Sequence, residues 1–212
     1  GDNFYDQTGQ LTSEFFTRLS MDTKLKLFTS IPGNHDYWVC GTPKCLQQGA
    51  DQQANGFMQW YGQDSAAASS HFPYDFSIDP DTEDVDETSR RPSADNFFVS
   101  HVMGNVGVIG FTGAGDWPSQ RGLFSRACDS MLDEHGVSTV LIMGHWDVPG
   151  EALMGAGLMP GMSVEAVHLR LKHVESCAAL QEKGKKFKYV YGHTHCNRVM
   201  HEDTSYLVAG QG

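Results

Sequence analysis

Short runs of β-branched and aromatic residues alternate with longer amphipathic stretches along the chain. Short runs of this kind are typical of strands, and apolar residues spaced three or four apart are typical of helices. The patterns predict strands over 25–31, 97–102, 106–112, 140–143, 187–191, 198–201 and 205–208, and helices over 11–19, 119–135 and 163–182. Strands that alternate with helices, together with one hairpin at Gly104-Asn105, indicate an α/β fold with mixed sheets.

The middle of the chain departs from this pattern. Residues 73–92 contain many Pro, Asp, Ser and Thr and few apolar residues, so we predict a surface insertion over 73–95. The whole chain, 1–212, has a length and a 40% hydrophobic content that fit a single catalytic domain. Its formal net charge of −11 argues against nucleic acid as a partner, because a phosphate backbone attracts Lys and Arg. No apolar run reaches the roughly 18 residues of a membrane-spanning helix.

Glycine followed by polar residues of metal-ligand type recurs where predicted strands end. Three instances are Gly33-Asn34-His35-Asp36, Gly144-His145 and Gly192-His193-Thr194-His195. The opening Gly1-Asp2 fits the same pattern with its strand cut off. Ligands of α/β sheets gather at the carboxyl ends of strands, and glycine allows a close approach of the backbone there. We therefore expect Asp2, Asn34, His145, His193 and His195 to converge.

The chemistry of this set indicates a particular kind of metal centre. Carboxylate, amide and imidazole groups suit iron, zinc or manganese, and they argue against a thiolate site. Five or six ligands are too many for one catalytic metal with an open position. Two metals about 3.5–4 Å apart, bridged by a carboxylate, fit better. Such a pair polarises a phosphoryl oxygen and activates a water molecule.

The motifs GD, GNHD, GH and GHTH, in this order, resemble those of the calcineurin-like metallophosphoesterases. The opening GDNFY resembles the small, tartrate-resistant type of purple acid phosphatase, where the Tyr of D-x-x-Y is a metal-binding tyrosinate. The resemblance implies a four-layer α/β/β/α sandwich, hydrolysis of phosphate monoesters, and a secreted or lysosomal/vacuolar location. It also implies that the domain is truncated at both ends, since the family's first Asp motif and last strands are missing.

The same resemblance implies a division of the ligands between two metals, Fe(III) and a second ion that is Fe(II), Zn or Mn. The six ligands are Asp2 as the bridge, Tyr5 and His195 on the first metal, and Asn34, His145 and His193 on the second.

The resemblance gives His35 a catalytic role instead of a ligand role. His35 would hold the phosphate together with Asn34 and protonate the leaving oxygen, and Asp36 would orient the imidazole. The substrate would be a small phosphate ester or a phosphoprotein. One departure changes the wall of the cleft: the family usually has Pro two residues after the third-motif His, whereas here Trp146-Asp147 follow.

Two alternatives remain beside this interpretation. The first is another two-metal phosphoesterase, such as a phosphodiesterase or nucleotidase, against which Tyr5 argues. The second is a non-catalytic metal-binding relative, against which the retention of His35 with six ligand-type residues argues. The five cysteines add little: Cys40 and Cys45 could close a small disulfide loop, and the odd count leaves at least one thiol free or paired outside this chain.

Overall fold

The computed structural model describes residues 10–26, 29–37, 97–134, 136–146 and 162–193. Its helices are α1 (Gln10–Arg18), α2 (Met21–Lys24), α3 (Trp117–Asp133), α4 (Val164–Leu171) and α5 (Glu175–Glu182), with a 3₁₀ helix at Asn34–Tyr37. Its strands are β1 (Val99–Met103), β2 (Val106–Gly110), β3 (Thr139–Met143) and β4 (Lys186–Val190). The predicted insertion over 73–95 and the two predicted strands after residue 197 lie outside these ranges.

The four strands form one mixed sheet in the order β1-β2-β3-β4. β1 and β2 are the predicted antiparallel hairpin, and Gly104 in its turn has a φ of 60°, a conformation that favours glycine. β2, β3 and β4 are parallel, so α3 crosses from β2 to β3, and α4 with α5 crosses from β3 to β4. The α/β class and the mixed sheet are therefore confirmed.

The core lies between the sheet and helices α3, α4 and α5. Alternate residues of β3 and β4, such as Ile142 and Tyr189, are fully buried and join the apolar residues of the three helices in one cluster. The residues between them on each strand point the other way and are half-buried, apart from exposed Lys186 at the start of β4. Among the described residues, no helix is long and apolar enough to span a membrane.

A disulfide between Cys128 and Cys177 joins α3 to α5, with Cα atoms 5.1 Å apart. Both cysteines are fully buried in the core. The sequence analysis did not predict this bond, because the pairing depends on how the two helices pack. The suggested loop between Cys40 and Cys45 lies outside the described ranges.

Two predicted elements are wrong in detail. Leu25 and Lys26, predicted to start a strand, follow helix α2, whose N-cap Ser20 accepts a hydrogen bond from the Thr23 backbone N–H. Residues 29–33 then run without regular secondary structure. The predicted helix 163–182 is two helices, because Val174 adopts an extended conformation and buries its side chain in the core.

Candidate active site

The carboxyl ends of β2, β3 and β4 lie side by side, and the sheet bonding continues past them. The Gly144 N–H donates to the Val190 carbonyl at 3.0 Å, and the Gly192 N–H donates to the His145 carbonyl at 2.9 Å. These bonds hold the two glycine-containing ends against each other. The histidine that follows each glycine, at 145 and 193, is thereby carried to the same edge of the sheet.

His145 and His193 contact each other through their ring nitrogens. His145 Nε2 lies 3.1 Å from His193 Nδ1, and the ring centroids are 5.0 Å apart at an interplanar angle of 77°. His145 is buried and His193 is half-buried. In the neutral state one nitrogen donates to the other, and the tautomers decide which one. The structure therefore brings together two of the residues predicted to share a metal.

His193 has a left-handed backbone, with a φ of 71°. Within the described parts of the chain it is the one residue other than glycine with a positive φ. A side chain in this region costs about 1–2 kcal/mol. Strained residues of this kind cluster at functional sites, where the surrounding structure holds them in place. The surrounding structure therefore holds the His193 side chain in position although its backbone conformation is unfavourable.

Gly144 is needed for the close packing beneath His145. A Cβ atom built on it would lie 2.5 Å from both Phe111 Cζ and Val164 Cγ2, which belong to the rigid core. The glycine that precedes the histidine is thus required by core packing, whereas the sequence pattern was interpreted as a close approach of the backbone to a ligand.

Trp146 lies between the ends of β2, β3 and β4. Its indole is only 2% exposed, makes an edge contact with His145 at 4.9 Å between centroids, and lies 6.1 Å from the His193 ring. On the other side it covers Gly113, where any Cβ would collide with the indole. Gly113 was not among the predicted site residues, although it directly follows the predicted strand 106–112.

The GNHD segment forms a 3₁₀ helix, Asn34–Tyr37. The Gly33 N–H donates to Asp36 Oδ2 at 2.7 Å, and Asp36 is 1% exposed, so this carboxylate fixes the turn that precedes His35. Its predicted contact with His35 stays a prediction. Ile31, three residues before the 3₁₀ helix, lies against Gly110 at the end of β2.

The remaining predicted ligands, Asp2, Tyr5 and His195, lie outside the described residues. Over the ranges that the structure covers, no group of three or more His, Cys, Asp or Glu side chains is arranged to hold a metal. The described portion of the predicted centre is therefore the imidazole pair together with the nearby GNHD turn.

The imidazole pair fits a shared transition-metal ion. Metal–nitrogen bonds of about 2.0–2.1 Å place two imidazole nitrogens about 2.9–3.4 Å apart when they bind one ion at octahedral to tetrahedral angles. The observed separation of His145 Nε2 and His193 Nδ1, 3.1 Å, lies within this range. Neutral imidazoles are also ordinary ligands of iron, zinc and manganese. The separation is therefore compatible with two ligands of one ion, and it is equally the length of the N–H···N hydrogen bond that the two rings form without a metal.

Comparison with known proteins found no matching family model, no matching curated protein and no matching solved structure. The assignment of a function therefore depends on the residues of this chain.

Proposed function

We propose that this chain is the catalytic domain of a two-metal phosphoesterase that hydrolyses phosphate monoesters, of the purple acid phosphatase type. The observation that carries the proposal is the 3.1 Å approach of His145 Nε2 to His193 Nδ1. These residues are the third and fourth strand-end motifs of the sequence pattern, and they meet at the carboxyl edge of a parallel sheet, where α/β folds bind ligands. The left-handed backbone of His193 adds support, because it indicates a position maintained for function.

In this proposal Asn34, His145 and His193 hold one metal, and Tyr5 and His195 hold the other. Asp2 would bridge the two. When bound, the metal pair would polarise the phosphoryl oxygen and lower the pKa of the attacking water.

His35 is the proposed general acid. It follows the proposed ligand Asn34 directly in the chain, so in this proposal it would lie beside the metal site, where it would reach the leaving-group oxygen of a bound ester. The buried Asp36 carboxylate holds the Gly33 turn, which limits the movement of the intervening His35 backbone. General acid catalysis by such a residue typically contributes about 10²–10⁴-fold in rate.

The proposed architecture is a four-layer α/β/β/α sandwich. The half-buried second face of the sheet supports it, because a second layer would cover the side chains of β3 and β4 that point away from the helices. A secreted or lysosomal/vacuolar location is proposed from the family resemblance. The buried disulfide between Cys128 and Cys177 is in keeping with an oxidising compartment.

The first experiment measures metal content and hydrolysis in the full-length protein. His145→Ala and His193→Ala are each expected to lose metal and to lose p-nitrophenyl phosphate hydrolysis. His173→Ala is the matched control, since His173 lies exposed between α4 and α5. Normal metal content and turnover in both site variants would refute the metal assignment. Full metal content without hydrolysis of any ester in the wild type would favour a non-catalytic relative.

A second experiment separates the purple acid phosphatase type from other two-metal phosphoesterases. A phenolate is a hard anionic ligand that favours ferric iron, so the iron-loaded protein should show a visible charge-transfer band. Tyr5→Phe should remove the band while the fold survives. A colourless protein that prefers bis-(p-nitrophenyl) phosphate would instead assign the site to a phosphodiesterase.

A further inference from the structure

We infer that Trp146 is a positioning residue that fixes the orientation of the two imidazoles; this inference rests on the proposed metal site. The indole is 2% exposed and lies at the ends of three neighbouring strands at once. It covers Gly113 beyond β2, contacts His145 beyond β3, and approaches His193 beyond β4. One ring therefore contacts one proposed ligand of the metal and lies within aromatic interaction range of the other.

The ring contacts restrict how each imidazole can turn. The Trp146 and His145 planes lie at 80°, with centroids 4.9 Å apart, which is a favourable edge-to-face arrangement of aromatic rings. The tilted contact with His193, at 6.1 Å, lies within the range over which aromatic rings interact. The indole therefore packs beside both imidazoles in the arrangement that holds His145 Nε2 3.1 Å from His193 Nδ1. A change in the indole is expected to alter how the two imidazoles pack and where their nitrogens lie.

The indole is itself held on its far side and along its backbone. Gly113 leaves room for the benzene part of the ring, and the Met162 N–H donates to the Gly113 carbonyl at 2.6 Å. The Val164 N–H donates to the Trp146 carbonyl at 2.8 Å. Backbone hydrogen bonds from the residues at the start of α4 therefore hold both the Trp146 backbone and the Gly113 loop, against which the ring packs. A ring fixed in this way can transmit a defined orientation to its neighbours.

Two substitutions perturb the ring independently. Trp146→Phe makes the ring smaller. It removes no hydrogen bond in the described part of the chain, because Trp146 Nε1 makes none there. Gly113→Ala leaves the indole intact and forces its benzene part to shift, because the new Cβ would lie 2.0 Å from Trp146 Cε3. The same Cβ would lie 2.9 Å from the Met162 carbonyl oxygen, so the thermal stability of this variant is measured beside its metal affinity. Both changes act on the metal ligands through the same ring, so their effects on metal affinity should not add.

Trp117→Phe is the matched control. Trp117 is half-buried in α3, packs against the core and stacks on Phe124 with centroids 5.4 Å apart, so Trp117→Phe removes the same ring atoms at a place away from the histidines. Its described ring contacts are with Phe124 and Arg170, not with either histidine. The control therefore separates a loss of core packing from a change at the metal ligands.

The experiment titrates the metal-free, full-length protein with Co²⁺, follows the visible absorption, and competes the bound Co²⁺ with Zn²⁺. Residues that orient metal ligands typically contribute 10–100-fold to affinity. We expect Trp146→Phe and Gly113→Ala each to weaken Co²⁺ binding about 10-fold and to alter the Co²⁺ spectrum. The double variant should lose less Co²⁺ affinity than the product of the two single fold-changes. Trp117→Phe should bind Co²⁺ with the affinity of the wild type.

Two results overturn the inference in distinguishable ways. If Trp146→Phe lowers thermal stability as Trp117→Phe does, yet keeps wild-type Co²⁺ affinity and spectrum, Trp146 only packs, and the proposed metal site still stands. If the wild type binds no Co²⁺, or His145→Ala binds it equally well, the metal site fails and the positioning role fails with it. Circular dichroism of each variant establishes that the folded protein is compared.

Discussion

The left-handed backbone of His193 leads to a prediction about stability that is independent of any metal. Replacing His193 by Gly removes the side chain that disfavours a φ of 71°, whereas replacing it by Ala keeps a Cβ in that conformation. Both variants lose the contact with His145, so this loss cancels when the two are compared. The difference between the Gly and Ala variants therefore isolates the backbone strain at this residue.

The expected magnitude follows from two opposing effects. A Cβ in the left-handed region costs about 1–2 kcal/mol, and Gly avoids that cost. Gly also makes the unfolded chain more flexible, which lowers the free energy of unfolding by about 0.4–1 kcal/mol. The free energy of unfolding of the Gly variant should therefore be larger than that of the Ala variant by about 0.8 kcal/mol, the middle of a range of about 0–1.6 kcal/mol. With a urea m-value of about 2 kcal/mol/M, the unfolding midpoints should differ by about 0.4 M.

The measurement is urea unfolding in the presence of a chelator, so that bound metal does not add to the stability. The same pair of substitutions at His173 is the control, because this exposed residue has no positive φ. There the order should reverse, with Gly less stable than Ala. If His193→Ala is as stable as His193→Gly or more stable in urea, the backbone strain at the end of β4 is absent. The left-handed φ of His193 would then no longer support a functional role for this residue.

Three further predictions concern the scaffold around the site. Replacing Cys128 and Cys177 together by Ala should cost about 4 kcal/mol by the chain-entropy estimate, since they are 49 residues apart, and should lower Tm by about 10 °C in a calorimetric scan. Gly144→Ala should cost about 1–3 kcal/mol in urea unfolding, because its methyl group would lie 2.5 Å from the Phe111 ring. Asp116→Ala should cost about 1 kcal/mol by the same assay at neutral pH, because it removes the N-cap of α3.

The cap also predicts a pH dependence. Hydrogen bonds from Ser119 hold the pKa of the Asp116 carboxyl below its ordinary range. The bond from the Ser119 backbone N–H has the larger effect, and the bond from its side chain has the smaller one. A carboxyl whose pKa is lower in the folded state stabilises the protein at pH values above its unfolded pKa. This contribution is lost as the pH falls through the folded-state pKa. The stability gap between wild type and Asp116→Ala should therefore narrow in acid. A gap that widens there would contradict the capping role.

The sequence predicts best what short-range chemistry decides. The hairpin was found because Gly104-Asn105 separates two β-rich runs, and β3 and β4 were found from their compact apolar runs. Helix α3 was predicted about two residues late, because Trp117 and Pro118 at its start are weaker signals than the apolar periodicity that follows. The start of the predicted strand 25–31 is instead the end of α2, since Leu25 is the C-cap of that helix.

Contacts between distant parts of the chain were not predictable in the same way. The break before α5 depends on the burial of Val174 under the folded core, and the disulfide depends on the packing of α3 against α5. At the site, the glycine-before-ligand pattern predicted that His145 and His193 would meet. It carried no signal for the indole that packs beside them, because the Trp146 contact with Gly113 exists only after β2 and β3 have paired.

The separation of the two histidines along the chain also has a consequence for the order of folding. The β1–β2 hairpin closes through a two-residue turn, whereas His145 and His193 are 48 residues apart and meet only after α4 and α5 have crossed from β3 to β4. Closing a long segment costs conformational entropy before the contacts that it brings together can form. Parallel pairing of strands that are distant in the sequence is therefore slow compared with hairpin formation. The imidazole pair should therefore form among the last contacts, and metal uptake would report that the domain has finished folding.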